Sequence, residues 1–246
     1  MSGREMLVGG DSETFQFALH QRQIGRVRGP RADRAAGVAA AGAVATAGPA
    51  GYVLFFRRWC LTWGARDDEV AAQLPGDELL PDAGLVTTRA VTIDAPPEAI
   101  WPWLVQMGSG RGGVYTYDWI ENLLGLDMHS THQILPQYQD VKVGDELPLG
   151  PGRPAMQIAV CDPERTLAIR FADGNWVWIF ALVAEDGQTR LISRNRIATP
   201  GAPPPVRLFN LLVMEPGSLI MERKMLLGIK QRAEVRGIVR GKGHKP

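Results

Sequence analysis

Apolar and polar positions alternate with the period of a β-strand through most of the second half of the chain. Val86 to Asp94 places Val91 and Ile93 on one side and Thr92 and Asp94 on the other, which predicts a strand. Further strand-like runs cover 140–147, 155–161, 166–171, 175–183 and 189–197. Gly-Asp, Asp-Pro-Glu-Arg, Ala-Asp-Gly and Glu-Asp-Gly turns separate them, the spacing of an antiparallel meander. Trp176, Trp178, Phe180 and Leu182 share one face of their run, and Val177, Ile179, Ala181 and Val183 share the other. Such a strand is central and covered on both sides. On the next run Ile192, Arg194 and Arg196 alternate with Leu191, Ser193 and Asn195.

Helical periods interrupt and close this pattern. Ala95-Pro96-Pro97-Glu98 opens a helix with Ile100, Trp101, Leu104 and Val105 as its buried stripe, and Gly108 ends it. A short helix started at Tyr117 would align Ile120, Leu123 and Leu124, with Asp118, Glu121 and Asn122 around them. After the Pro-rich stretch from Pro200 to Pro205, a long helix is predicted over Pro216 to Val239. Within it Leu219, Met225, Leu226, Ile229 and Ala233 fall within about 60 degrees of Glu222. A carboxylate inside an apolar stripe needs a partner or a raised pKa. Arg194, Arg196 or His129 are the candidate partners.

The N-terminal third differs in composition. Residues 1–34 read as a flexible basic leader, and 35–58 as a candidate transmembrane helix, since no charge occurs from Ala35 to Phe56 and Arg57 and Arg58 stop the run. Pro49 and an Ala/Gly-rich make-up weaken that reading. A cleaved signal peptide with a site near Ala45-Thr46-Ala47, or a disordered arm, are the alternatives. Arginines before the run outnumber those after it, which keeps the N-terminus cytoplasmic and puts the domain outside. Residues 59–84 read as a polar, acidic linker with a short helix over Asp67 to Gln73, 85–240 as the globular domain and 241–246 as a basic tail. The 246 residues carry a formal net charge of +1, which gives no electrostatic case for nucleic acid. Cys60 and Cys161 form neither a disulfide framework nor a metal pattern.

Candidate chemistry concentrates between Val114 and Asp127, where aromatic, acidic and amide side chains form either a site wall or an aromatic closure of the core. The loop Ser109-Gly110-Arg111-Gly112-Gly113 lacks the Gly-Lys-Ser/Thr ending of a phosphate cradle. His129 and His132 lack a third metal ligand at a defined spacing, and no Gly-X-Ser-X-Gly elbow occurs. Neither a metal nor a cofactor is expected.

The order of elements, with Ala95-Pro96-Pro97-Glu98-Ala99-Ile100-Trp101-Pro102-Trp103-Leu104 after the first strand, resembles the SRPBCC or START-like superfamily. Arg111-Gly112-Gly113-Val114-Tyr115-Thr116-Tyr117-Asp118-Trp119 and Met221-Glu222-Arg223-Lys224-Met225-Leu226-Leu227-Gly228-Ile229-Lys230 resemble an actinobacterial, membrane-anchored branch of it. The resemblance covers about Arg57 to Glu234. It implies an α+β helix-grip fold: a curved antiparallel sheet wrapped around a long C-terminal helix, here preceded by an N-terminal hydrophobic helix. It also implies a cavity between sheet and helix. The partner expected there is a hydrophobic small molecule such as a lipid, isoprenoid or polyketide. Trp101, Tyr115, Tyr117, Trp119, Trp176, Trp178, Met221 and Met225 would supply apolar surface, and Asp118, Asn122, Arg194 and Glu222 would orient a polar head. A cyclase or dehydratase reading would use Asp118, His129 or Glu222 as acid or base. A third reading is a membrane-attached interaction domain, with Ile220, Leu227 and the stretch Val206 to Met214 as its contact surface.

Overall fold

The computed structural model describes Gly51 and residues 55–242, with side chains through Val235, so the expected leader and nearly all of the expected anchor lie outside the described residues. Six strands form one antiparallel sheet: β1 (Leu85–Ile93), β2 (Glu146–Leu147), β3 (Met156–Asp162), β4 (Thr166–Phe171), β5 (Trp176–Glu185) and β6 (Gln188–Ile197). Their spatial order is β1-β6-β5-β4-β3-β2, so the first strand closes the meander beside the last. Helices α1 (Arg57–Thr62) and α2 (Asp67–Ala71) precede the sheet. Helices α3 (Pro97–Val105) and α4 (Asp118–Leu123) lie between β1 and β2. After β6 the chain is helical from α5 (Pro204–Phe209) through a π-helical turn (Asn210–Met214) into α6 (Glu215–Lys242). This is the expected α+β helix-grip arrangement.

The alternation in β5 does what its pattern demands. Phe180 and Leu182 pack with Ile93, Leu104, Met225 and Ile229 on the helix side, while Val177, Ile179 and Ala181 pack with Leu74, Ala90 and Ile192 on the other. Helix α6 is laid along β1 by the ammonium of Lys230, which donates to Thr92 O (2.7 Å), and by Glu234, which accepts from the amide of Asp94 (2.8 Å). Gly228 lets it come close: a Cβ there would stand 2.8 Å from the carbonyl oxygen of Tyr115. The π-helical turn has a local cause. Pro216 has no N–H to give to the preceding turn, and its ring pushes that turn open.

Three expectations are corrected. The strand expected over 140–147 shrinks to Glu146–Leu147, because Lys142 and Asp145 close a turn on each other that takes Val141 and Val143 out of the ladder. In α4 the apolar stripe is turned outward: Leu123 and Leu124 are exposed and Glu121 is buried. The reason is that Asp118 and Asn122 are held by the 128–130 loop, which fixes the rotation of a helix too short to choose its own. Finally, 59–84 is no linker. Leu74, Ala65, Leu79 and Leu80 cover the back face of the sheet, and buried ion pairs fasten the layer. Arg190 on β6 grips Glu69 through Nε and Nη2, both at 2.7 Å. Arg194 donates to Asp77 at 2.6 Å and to the carbonyls of Glu69 and Ala72. Arg196 reaches Asp77 and the carbonyls of Leu80 and Pro81.

Burial alone would raise the Glu69 carboxyl, but the hydrogen bonds from Arg190 and from the Arg66 amide hold it below the ordinary carboxylate range. A depressed folded pKa contributes stability that is present above the unfolded value and lost as pH falls through the folded one. Glu69→Gln, which leaves the buried Arg190 uncompensated, is expected to lower the unfolding free energy by about 3 to 5 kcal/mol at neutral pH. In denaturant titrations the gap between variant and wild type should narrow on acidification below about pH 4.5. A gap independent of pH would mean that the carboxylate is not the fastening group.

Candidate functional site

Arg89 points from β1 to the helix side of the sheet and is fully buried. Its three nitrogens are all used: Nε donates to Cys60 O (2.9 Å), Nη2 to Ser218 Oγ (3.0 Å) and Nη1 to Glu222 Oε2. The amide of Asn195 donates to the same carboxylate oxygen (3.1 Å) and to Thr87 Oγ1 (3.2 Å). Glu222 thus points inward, as its place on the helical wheel requires, but its partners are not those expected. Arg194 and Arg196 face the opposite side of the sheet, and His129 is exposed and pairs with Asp127. Burial pushes the Glu222 carboxyl above the ordinary carboxylate range, against the pull of Arg89, Ser193 and Asn195. Its second oxygen, Oε1, is buried and makes no hydrogen bond of normal geometry, with the Ser193 hydroxyl close to the carboxylate.

An aromatic row leads to this carboxylate. Phe171 stacks on Trp176 at 4.1 Å between centroids, Trp176 lies 6.0 Å from Trp178, and Trp178 lies 4.8 Å from Phe180. Phe171, Trp176 and Trp178 are half-buried while Phe180 is fully buried, so the row runs from solvent into the core. The indole N–H of Trp176 donates to Asn195 Oδ1 and that of Trp178 to Ser193 Oγ, both at 2.9 Å. The residues that fix the two indoles are therefore the ones that surround Glu222. Alternation on β5 and β6 brings them together, because Trp176, Trp178, Ser193 and Asn195 all occupy helix-side positions in paired strands.

The other expected site residues are placed elsewhere. Trp101 and Met225 are core residues, and Met221 is half-buried on α6. Tyr115 is buried with its hydroxyl donating to Trp103 O and accepting from Gln106, both at 3.0 Å, while the Arg232 guanidinium lies 4.6 Å from its ring centre. Burial pushes its phenol well above the ordinary tyrosine value. Asp118 accepts from the amide and hydroxyl of Ser130, and Asn122 bonds both ways to the backbone of Met128. These side chains are spent on holding the loop. Tyr117 is half-buried under Lys224, and Trp119 is exposed. Arg194 belongs to the back-face clamp. Arg89, the partner of Glu222, escaped the sequence reading, although its parity with Val91 and Ile93 put it on the core side of β1.

The space between sheet and α6 is largely filled. Ile93, Ile100, Leu104, Phe180, Leu191 and Met225 close over one another with no exposed surface. Two open concavities lie outside it, one of about 240 Å³ beside Arg170 and Phe171 and one of about 690 Å³ beside Val70, Asp77 and Arg196 on the back layer. Among the described residues no cluster of His, Cys, Asp and Glu could hold a metal ion.

No protein-family profile and no curated protein matches the chain. Solved structures similar to it include a protein of Mesorhizobium loti, 14% identical over 61% of this chain and 98% of that one, with a TM-score of 0.38. A polyketide-cyclase-like protein of Corynebacterium glutamicum is 15% identical over 68% and 100%, with a TM-score of 0.40. An Aha1 dimer of Colwellia psychrerythraea is 16% identical over 61% and 97%, with a TM-score of 0.37.

Removing the charge of Glu222 strands the Arg89 guanidinium, so Glu222→Gln is expected to cost about 3 to 5 kcal/mol in unfolding free energy. Replacing both partners, Arg89→Met with Glu222→Leu, should recover most of that loss, because a buried pair and apolar residues of similar size are commonly near equal. Equilibrium denaturation of the variants checks both. Equal losses in the single and double variants would show that the surrounding hydrogen bonds, not the charge pair, carry the energy.

Proposed function

We propose that this chain is a binding domain for a hydrophobic small molecule, tethered to a membrane through residues 35–58. The observation that carries the reading is the row of half-buried aromatic rings whose fixing residues, Ser193 and Asn195, surround the buried Glu222 carboxylate, one oxygen of which makes no hydrogen bond of normal geometry. A buried polar atom that lacks a partner costs free energy, and a ligand that supplies a hydrogen-bond donor there gains that cost back. The rings offer flat apolar surface from the solvent side inward. Together they suit an amphipathic molecule with an apolar body and a hydroxyl or comparable donor at one end, a description met by sterol-like, isoprenoid and polyketide compounds. Because the deeper interface is packed, the ligand would sit at the outer end of the sheet–helix seam, between the Trp176 and Trp178 rings and the half-buried Met221, displacing side chains rather than filling a ready void.

A second reading draws on the raised pKa of Glu222. A carboxyl whose pKa is raised by burial takes up a proton more readily than an exposed one, and in that form it could donate it, the requirement of a cyclase or dehydratase acting on a polyketone. Asp118 and His129 offer it little help, since the first is committed to Ser130 and the second is exposed.

The test is extraction of the purified protein with organic solvent and mass spectrometry of what is released, joined to titration with a fluorescent sterol or polyene probe. Trp178→Leu is expected to weaken probe binding at least tenfold, about 1.4 kcal/mol, while Trp119→Leu leaves it unchanged. Equal affinity in the two variants, or no bound molecule and no probe uptake, overturns the reading. Turnover of a polyketone that disappears in Glu222→Gln would favour the enzyme instead.

A further inference from the structure

Helix α5 and the π-helical turn after it contain no buried residue at all. Val206, Leu208, Phe209, Leu212, Val213 and Met214 are each between 43 and 55% exposed. Successive positions of a helix point in directions about 100 degrees apart, so these side chains are distributed around most of its circumference and do not form one stripe. A helix docking into a protein groove needs an apolar stripe, whereas one that is apolar on most sides suits a continuous apolar medium. Between Ile197 and Met214 the single charge is Arg207, so the segment carries no acidic group to repel an anionic lipid.

Position adds a second, independent argument. The apolar segment ends at Glu215, whose carboxylate takes a bidentate grip from Arg57, Nε to Oε2 at 2.8 Å and Nη2 to Oε1 at 3.0 Å. Arg57 is also where the uncharged run from Ala35 to Phe56 stops, and Phe55, the residue two before it, is 76% exposed. Two apolar stretches remote in sequence therefore reach their polar boundary at one ion pair. Arg58 adjoins it, a basic side chain at the level where headgroups would lie.

We propose that the helical segment 206–214 is a second membrane contact, which enters one leaflet of the bilayer and holds the domain against the lipid surface at the Arg57–Glu215 level. Nine helical residues rise about 14 Å, roughly half the hydrocarbon thickness, so the segment reaches into a leaflet without crossing. Among the described residues no helix is long and apolar enough to cross. The same segment continues directly into α6, so its insertion sets the tilt of the helix that carries Glu222. The contact is independent of whether Glu222 meets a ligand.

The test uses the full chain with Cys161→Ser and a single added cysteine bearing an environment-sensitive fluorophore, at Leu212→Cys or, as control, at Gln188→Cys on the β5–β6 hairpin at the opposite end of the sheet. Cys60 is fully buried and escapes labelling. Addition of phosphatidylcholine–phosphatidylglycerol vesicles is expected to raise the emission at 212 several-fold with a blue shift, and lipids carrying a quencher on the acyl chain should suppress it. The label at 188 should show neither change. Adding Phe209→Glu, a change outside the core, should abolish the response at 212 without lowering the melting temperature. If the chain floats with vesicles while the label at 212 stays in water, the tether alone binds and the proposal fails. It also fails if the label is already blue-shifted without lipid and reverts on dilution, since the occupant is then a second copy of the chain. Neither outcome touches probe binding at Trp178, so failure here and failure of the ligand reading are separable.

Discussion

Guanidinium groups buried on both faces of the β1–β6 pair are the constraint around which the molecule is assembled. An arginine cannot shed its charge, and leaving it unpaired in the interior costs several kcal/mol, so each one dictates where a carboxylate must be. Arg89 on the helix side fixes Glu222, and with it the rotation of α6 about its axis. Arg190 and Arg194 on the back fix Glu69 and Asp77, and with them the segment between α1 and β1. Apolar burial supplies most of the driving force on either face, but it is indifferent to small slides and rotations. The ion pairs are not, and they set the register of both layers on the sheet.

This division of labour explains what could be read from the sequence. Strand alternation in β5 and β6 is enforced by burial on both faces, so parity alone shows which side chains travel together, Trp176 with Trp178 and Arg194 with Arg196, and the helical period does the same for Glu222 with Leu219, Met225 and Ile229. Parity does not say which of two covered faces is which. Arg194 therefore fits either face by pattern, and it lies on the back because its carboxylate comes from Asp77, in a stretch whose polarity resembles a linker. The acids there are polar because they meet arginines, not water. Arg89 was legible in principle, as the one charged residue on the apolar parity of β1, opposite the one carboxylate on the apolar stripe of the last helix. Helix α4 was beyond local reasoning, since two side-chain bonds to a distant loop overrode its apolar period.

The region of the candidate site follows from the same arrangement. Ser193 and Asn195 alternate with the back-face arginines on β6, so the strand that clamps the N-terminal layer also presents polar atoms to the two tryptophans of β5. A hydroxyl and an amide there would be misplaced in a purely structural core. The Asn195 amide is satisfied by the Trp176 indole N–H and by Glu222 Oε2, while Glu222 Oε1, near the Ser193 hydroxyl, makes no hydrogen bond of normal geometry. Well-satisfied buried networks rigidify a core, and this one ties the two indoles of β5 to the arginine–carboxylate pair that orients α6.

The relation between this acceptor and the apolar helical segment at 206–214 is mechanical. Helix α6 has its core contacts at Met225, Leu226, Ile229 and Ala233, in its middle, while Glu222 lies one turn nearer the exposed end. Force applied at the exposed end bends or tilts a helix about its packed middle. Displacement grows from the pivot toward the end, and the residues between them, Ser218 and Glu222, carry directional hydrogen bonds to the sheet. Glu222 and Ser218 both bind Arg89, so a tilt that opened the seam beside Trp176 would lengthen those bonds first. At about 25 cal/mol for each Å² removed from water, roughly 100 Å² of segment 206–214 buried in lipid matches one hydrogen bond worth about 1 to 3 kcal/mol. The polar link between the exposed end of α6 and the sheet is therefore the pair of bonds that Arg89 donates to Ser218 and Glu222.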